Sequence, residues 1–218
     1  MYRMLFEKTG NAVWISHLDL MRLFQRAFKR AGLLLTHTQG FNPRPSVSIA
    51  LPLSVGVFSN CELLDFDLDG EKVDCAEIAK RLNQTLVDGV RVHSVYTDGR
   101  KLRELSLLSC KVILEYDDGV PAGGLASVQN LFSQQSLIVP KKTKSGLQDQ
   151  DIIPMIRKIA ISETDNTLEL AALICCQNPS LNPQQLVNAI AIHLPHLSPD
   201  FSRCYRQELY DDKETIFR

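Results

Sequence analysis

The residues best suited to chemistry stand close together near the start of the chain. Ser16-His17-Leu18-Asp19 puts an imidazole and a carboxylate at the opening of an amphipathic stretch, and Arg22, Arg26, Lys29 and Arg30 follow at spacings of three and four. Residues 37–45, HTQGFNPRP, then supply His37, Gln39, Phe41, Asn42 and Arg44. Guanidinium groups pair with phosphate oxygens, and an exposed aromatic ring offers a stacking surface for a base. These residues therefore suit a binding surface for nucleic acid. A histidine moves protons near neutral pH, so His17, Asp19 and His37 beside arginines also resemble what metal-independent RNA cleavage needs: an acid–base group and cations at the scissile phosphate. A lone histidine at a helix start more often caps or packs, which ranks cleavage second. A third reading is a protein-binding adaptor whose basic helix docks on an acidic face without touching RNA.

The elements that must hold these groups can be read from caps and periodicity. Ser16 is placed to accept from the backbone N–H of Leu18 or Asp19, with Asp19 at the capping-box position. Leu20, Leu23, Phe24, Ala27, Phe28 and Ala31 form an apolar stripe, and Gly32 stands where a helix usually ends, so a helix is predicted over 17–31. The cations occupy its other side, where no acidic residue is expected to pair with them at i,i+4. Gly40, Asn42-Pro43 and Pro45 exclude regular structure from the loop and stiffen it around Arg44.

The remaining chain alternates. Strands are predicted at 3–8, 46–51, 61–68 and 90–96, with an apolar piece at 12–15 and a helix at 73–86 capped by Asp74. Residues 97–104 are polar and glycine-containing, and the domain boundary is placed there. Beyond it come a strand at 107–116, a helix at 123–134, a short strand at 136–140 and a strand pair at 153–161 and 167–175. A helix at 183–194 after an Asn182 cap and a last strand at 204–209 complete the chain. The expected fold class is α+β, with two tandem ferredoxin-like (βαββαβ) units covering residues 1–98 and 105–218. Between the short strand at 136–140 and the strand pair, Lys141-Lys142-Thr143-Lys144-Ser145-Gly146 reads as a basic loop whose Lys141, Lys142 and Lys144 could add a second phosphate contact.

Charge is segregated. Residues 1–60 carry seven basic groups against two acidic ones, a balance of +5 in a chain of net charge −1, so the rest carries −6. Such asymmetry orients a protein toward phosphates or an acidic partner. The six cysteines form no CxxC pair or CxxxCxxC triplet and read as reduced, buried residues of a cytoplasmic protein. No metal site and no cofactor is expected in this chain. His193 and His196 are separated by Pro195 and cannot act as an i,i+4 metal pair. No Walker loop, GxGxxG, HExxH or GxSxG motif occurs, and no apolar run reaches a membrane-spanning length.

The segments SHLDLMRLFQRAFKRAGL and TQGFNPRPSVSIALPLSVG, with ELLDFDL and RLNQTLVDGV more loosely, resemble a radical-SAM-linked bacterial family of unknown function, met free or fused to radical S-adenosylmethionine proteins. The resemblance covers the first hundred residues and implies a radical-SAM protein as partner, which would hold the iron–sulfur cluster itself. Family members often carry a histidine where Arg44 stands. A weaker likeness is to RAMP-type CRISPR endoribonucleases, which also use tandem ferredoxin-like folds; their glycine-rich C-terminal loop has no counterpart in residues 202–218. The leading expectation is a non-enzymatic RNA-binding accessory protein, recognising structured RNA through the basic helix and the loop at 39–44.

Overall fold

The computed structural model describes residues 1–70, 72–143 (backbone alone at 142–143) and 146–218. They form two compact units, residues 1–102 with Arg218, and residues 103–217. The fold is α+β: four α-helices among the described residues, with strands that pair antiparallel.

The first unit runs β1 (Tyr2–Lys8), α1 (His17–Arg30), β2 (Val47–Ile49), β3 (Val57–Phe66), α2 (Cys75–Asn83) and β4 (Val90–Tyr96). Its strand order is β4-β1-β3-β2, with β2 and β4 at the two edges. α1 begins where its cap dictates. The Ser16 hydroxyl accepts from the Asp19 N–H at 3.2 Å and donates to the Asp19 carboxylate at 2.7 Å. The helix ends at Gly32, whose φ of +65° suits glycine. Leu20, Phe24, Ala27 and Phe28 are buried. Phe24 meets Phe6 edge-on at 4.8 Å and Phe28 meets Phe66 at 4.7 Å. Each buried phenylalanine contributes about 1.5–3 kcal/mol, so packing rather than propensity holds the helix down. In α2 the Asp74 carboxylate accepts from the N–H groups of Ala76 and Glu77, as its cap position predicts.

The second unit runs β5 (Leu107–Glu115), α3 (Gly124–Phe132), β6 (Ile138–Thr143), β7 (Gly146–Asp151), β8 (Ile156–Glu163), β9 (Thr167–Cys175), α4 (Gln184–His193) and β10 (Phe201–Tyr210). Its strand order is β10-β5-β9-β8. The Asn182 side chain accepts from the Gln184 N–H ahead of α4.

Three readings are refined or corrected. Residues 10–14, which include most of the apolar piece at 12–15, form a 3-10 turn that buries Ala12 and Val13. The segment read as a basic loop belongs to a hairpin, with Lys141 opposite Gln148 and Lys142 opposite Leu147; Lys144 lies outside the described residues. The hairpin is made by pairing between two strands, Val139 opposite Gln150 and Pro140 opposite Asp149 besides the lysines, which periodicity alone cannot register. The third concerns charge. Arg3 and Lys8 were counted toward a basic surface, yet Arg3 is 2% and Lys8 0% exposed. Arg3 grips Asp65 with two hydrogen bonds, at 2.6 and 2.9 Å, and donates to the Arg100 carbonyl. Lys8 donates to the carbonyls of Ile15 and Ser54. These two cations are buried and tie segments of the first unit together.

Candidate nucleic-acid interface

The exposed cations of α1 follow from its apolar stripe: once Leu20, Phe24, Ala27 and Phe28 face the sheet, Arg22, Arg26, Lys29 and Arg30 must face away. Arg22, Arg26 and Arg30 stand one helical turn apart and line an open groove of about 500 Å³. Ile15, Leu23 and Val87 give that groove an apolar side. Val87 comes from the segment between α2 and β4, which runs along α1: the Thr85 hydroxyl donates to the Ala27 carbonyl at 3.2 Å, and Arg30 donates to the Thr85 carbonyl at 2.5 Å. Lys29 is exposed but outside the groove.

No i,i+4 pair was expected on the cationic stripe, yet a carboxylate reaches it at a different spacing. Asp19 lines the same groove and pairs with Arg22 at 2.8 Å, an i,i+3 contact. The hydrogen bond from Ser16 and then the one from Arg22 hold the Asp19 carboxyl below its ordinary value, so it is ionised at neutral pH and serves as cap and arginine tether. Among the described residues Arg26 has no hydrogen bond or ion pair, which leaves its guanidinium available to a ligand.

The loop at 37–45 is braced as its prolines suggest. His37 bridges Pro45, the Thr38 N–H donates to the Arg44 carbonyl at 2.8 Å, and the Arg44 N–H donates to the Thr38 hydroxyl at 3.1 Å. Gln39, Phe41, Asn42 and Arg44 are exposed at its tip, and Phe41 is as open as in an extended chain, at 108%. The loop does not share the groove. It leads into β2, which pairs with β3, while the groove is walled by the segment leading into β4, which pairs with β1, so the two lie on opposite sides of the β1–β3 pair. The basic helix and the braced loop are thus two surfaces of the unit.

The same register separates the residues read as an acid–base set. Tyr2 and Val47 both pair with Phe66, so the loop carrying His37 lies at the beginning of β1, whereas His17 follows its end. A seven-residue strand spans roughly 20 Å. His17 and Asp19 share the first turn of α1 but, two residues apart, point in different directions, and the buried Nδ1 of His17 has no hydrogen-bond partner among the described residues. In the second unit the Lys141 ammonium donates to the Ser180 carbonyl at 3.1 Å. His193 bonds the Ile138 carbonyl at 2.8 Å, a terminus role. No group of three His, Cys, Asp or Glu residues suited to a metal ion occurs among the described residues. Burial pushes the Cys110 thiol up to about 12 and the Cys204 thiol up to about 11. No described helix is long and apolar enough to cross a membrane.

Sequence reasoning missed Val87 and Ile15, which build the apolar side of the groove. Neither lies in a periodic segment, and an exposed valine in a turn was the only signal available.

No curated protein matches the chain. The crystal structure of an unknown protein from Galdieria sulphuraria is similar at 10% identity, covering 94% of this chain and 96% of that one, with a TM-score of 0.27, a likeness too slight to bear on fold or function. Residues 1–183 match the model of a family described as an uncharacterized protein conserved in bacteria, DUF2344. With most of its length matched, the chain belongs to the DUF2344 family.

Proposed function

We propose that this protein is an RNA-binding accessory protein, acting in the cytoplasm beside a radical-SAM enzyme that modifies RNA or ribosomes. The observation that carries the reading is the row of Arg22, Arg26 and Arg30 along one open groove. Three guanidinium groups against one carboxylate give that groove a net positive lining in a chain of net charge −1, and phosphate is the anion such a row suits. The partner enzyme rests on the resemblance of the stretches at 16–33 and 38–56, and it would hold the cluster. In the same reading each unit is ferredoxin-like. The strand orders β4-β1-β3-β2 and β10-β5-β9-β8 support this, with the β6–β7 hairpin as an insertion.

The test is the salt dependence of RNA binding by the native protein and by the Arg22→Gln, Arg26→Gln, Arg30→Gln triple variant. Each lost phosphate contact lowers the slope of log affinity against log salt by about 0.7 for single strands and about 0.9 for duplex. Unchanged binding in the triple variant refutes the proposal.

A metal-independent endoribonuclease is the second reading, favoured by the unpartnered Nδ1 of His17 at the start of α1. It requires cleavage of RNA in EDTA that His17→Ala abolishes. An intact RNA after incubation with native protein removes it.

A further inference from the structure

The groove on α1 has two kinds of wall, and only one of them is explained by phosphate. Arg22, Arg26 and Arg30 are four residues apart, so their Cα atoms advance about 6 Å per step along the helix axis, close to the separation of neighbouring phosphates on one nucleic-acid strand. The outer two are fixed, Arg22 by Asp19 and Arg30 by the Thr85 carbonyl, and the middle one, Arg26, is left to a ligand. Beside them Ile15, Leu23 and Val87 add apolar surface to the lining, with Val87 45% exposed. A duplex keeps its bases stacked inside and would set sugars and phosphates against those apolar side chains, leaving them wet. An unpaired nucleotide has both an anionic backbone and an apolar base face.

We propose that the groove is a subsite for an unpaired RNA segment, with phosphates on Arg26 and Arg30 and one base laid against Leu23 and Val87. The inference rests on the RNA-binding reading above and narrows it from structured RNA in general to its single-stranded parts. Concavity supports the choice. A space of about 500 Å³ accommodates a nucleotide, and its mixed cationic and apolar lining suits the two halves that a nucleotide presents. Asp19 sets a limit on the same site: its carboxylate, held ionised, repels a phosphate placed at Arg22 and steers the strand toward Arg26 and Arg30.

The experiment compares an eight-nucleotide oligouridylate with a twelve-base-pair RNA duplex by fluorescence anisotropy at one salt concentration, using the full chain, Val87→Asp and Arg26→Gln. Circular dichroism confirms that each variant is folded, and Val87→Ala serves if Val87→Asp is not. The single strand is expected to bind at least about tenfold tighter than the duplex, and Val87→Asp to lose about tenfold of the single-strand affinity, the scale of one base contact. Arg26→Gln should weaken both ligands. Equal or tighter binding of the duplex, or an unchanged affinity of the Val87 variant, overturns the inference while leaving RNA binding intact. Failure of both RNAs to bind overturns the inference and the underlying reading together.

Discussion

The two units share a strand order and differ in the sign of the groove each presents. In the first, α1 lines an open groove of about 500 Å³ with three arginines and one aspartate. In the second, a groove of about 420 Å³ is lined by Glu115, Asp117 and Glu169 with a single cation, Arg203, which is itself bonded to Glu115. The helices differ in the same sense, since α3 and α4 carry no lysine, arginine, aspartate or glutamate, while α1 carries four cations. One topology therefore supports opposite electrostatics, and the architecture by itself says nothing about ligand choice. The contrast is written in exposed side chains that the fold does not need.

Several substitutions would break or sharpen this contrast. The largest effect is expected from Phe28→Ala. The ring is fully buried against Phe66, and its removal should cost about 3–5 kcal/mol in denaturant unfolding. Because Phe28 seats α1, RNA affinity should fall with it. Ile190→Val in α4, equally buried, should cost only about 0.5–1.5 kcal/mol and leave RNA binding unchanged. Loss of binding in the α4 variant would show that the second unit contributes to the site.

A smaller effect separates the two grooves directly. Arg203→Gln removes an exposed pair with Glu115 and should change stability by no more than about 1 kcal/mol, with no change in RNA affinity. Arg26→Gln should leave stability unchanged and weaken RNA binding. Equal effects on binding would erase the distinction between the units.

The smallest effects are in pH, and they lie at opposite ends of the scale. Asp19 has its folded value below its ordinary 3.8, so the unfolded chain takes up the proton first as pH falls. Its contribution is fully present above 3.8 and is lost as pH drops through the folded value. Ser16→Ala should flatten that acid limb in a circular dichroism titration. Cys110 behaves in reverse. The thiol is raised from 9.0 to about 12 by burial, so the unfolded chain loses its proton first, and stability falls as pH rises from 9 toward 12. Cys110→Ala should flatten the alkaline limb, and an unchanged limb would show that the buried thiol is not its source.

Much of the fold was legible because local signals agreed. Ser16, Gly32 and Asp74 mark helix ends by hydrogen-bonding and backbone chemistry that acts within a few residues, and the α1 stripe repeats for four turns. What was not legible depends on partners distant in sequence. Arg3 looks like a surface cation until β1 meets β3 and brings Asp65, 62 residues away, against it. Glycine and lysines hid the β6–β7 hairpin, since pairing rather than periodicity makes it. The cations of α1 and the residues of the braced loop were named from their types and spacing. Their separation to opposite sides of the β1–β3 pair required the strand order, which no local pattern specifies. Val87 had no signal at all beyond being an apolar residue in a turn.

Photo-cross-linking tests the central claim most directly. An eight-nucleotide oligo(4-thiouridylate) is bound to the full chain, irradiated and digested, and the cross-linked peptides are identified by mass spectrometry. The account predicts adducts within residues 15–30 and at the 85–89 segment, abolished by the Arg22, Arg26, Arg30 triple substitution. Adducts confined to residues 103–217, or adducts on α1 that persist in the triple variant, would contradict it.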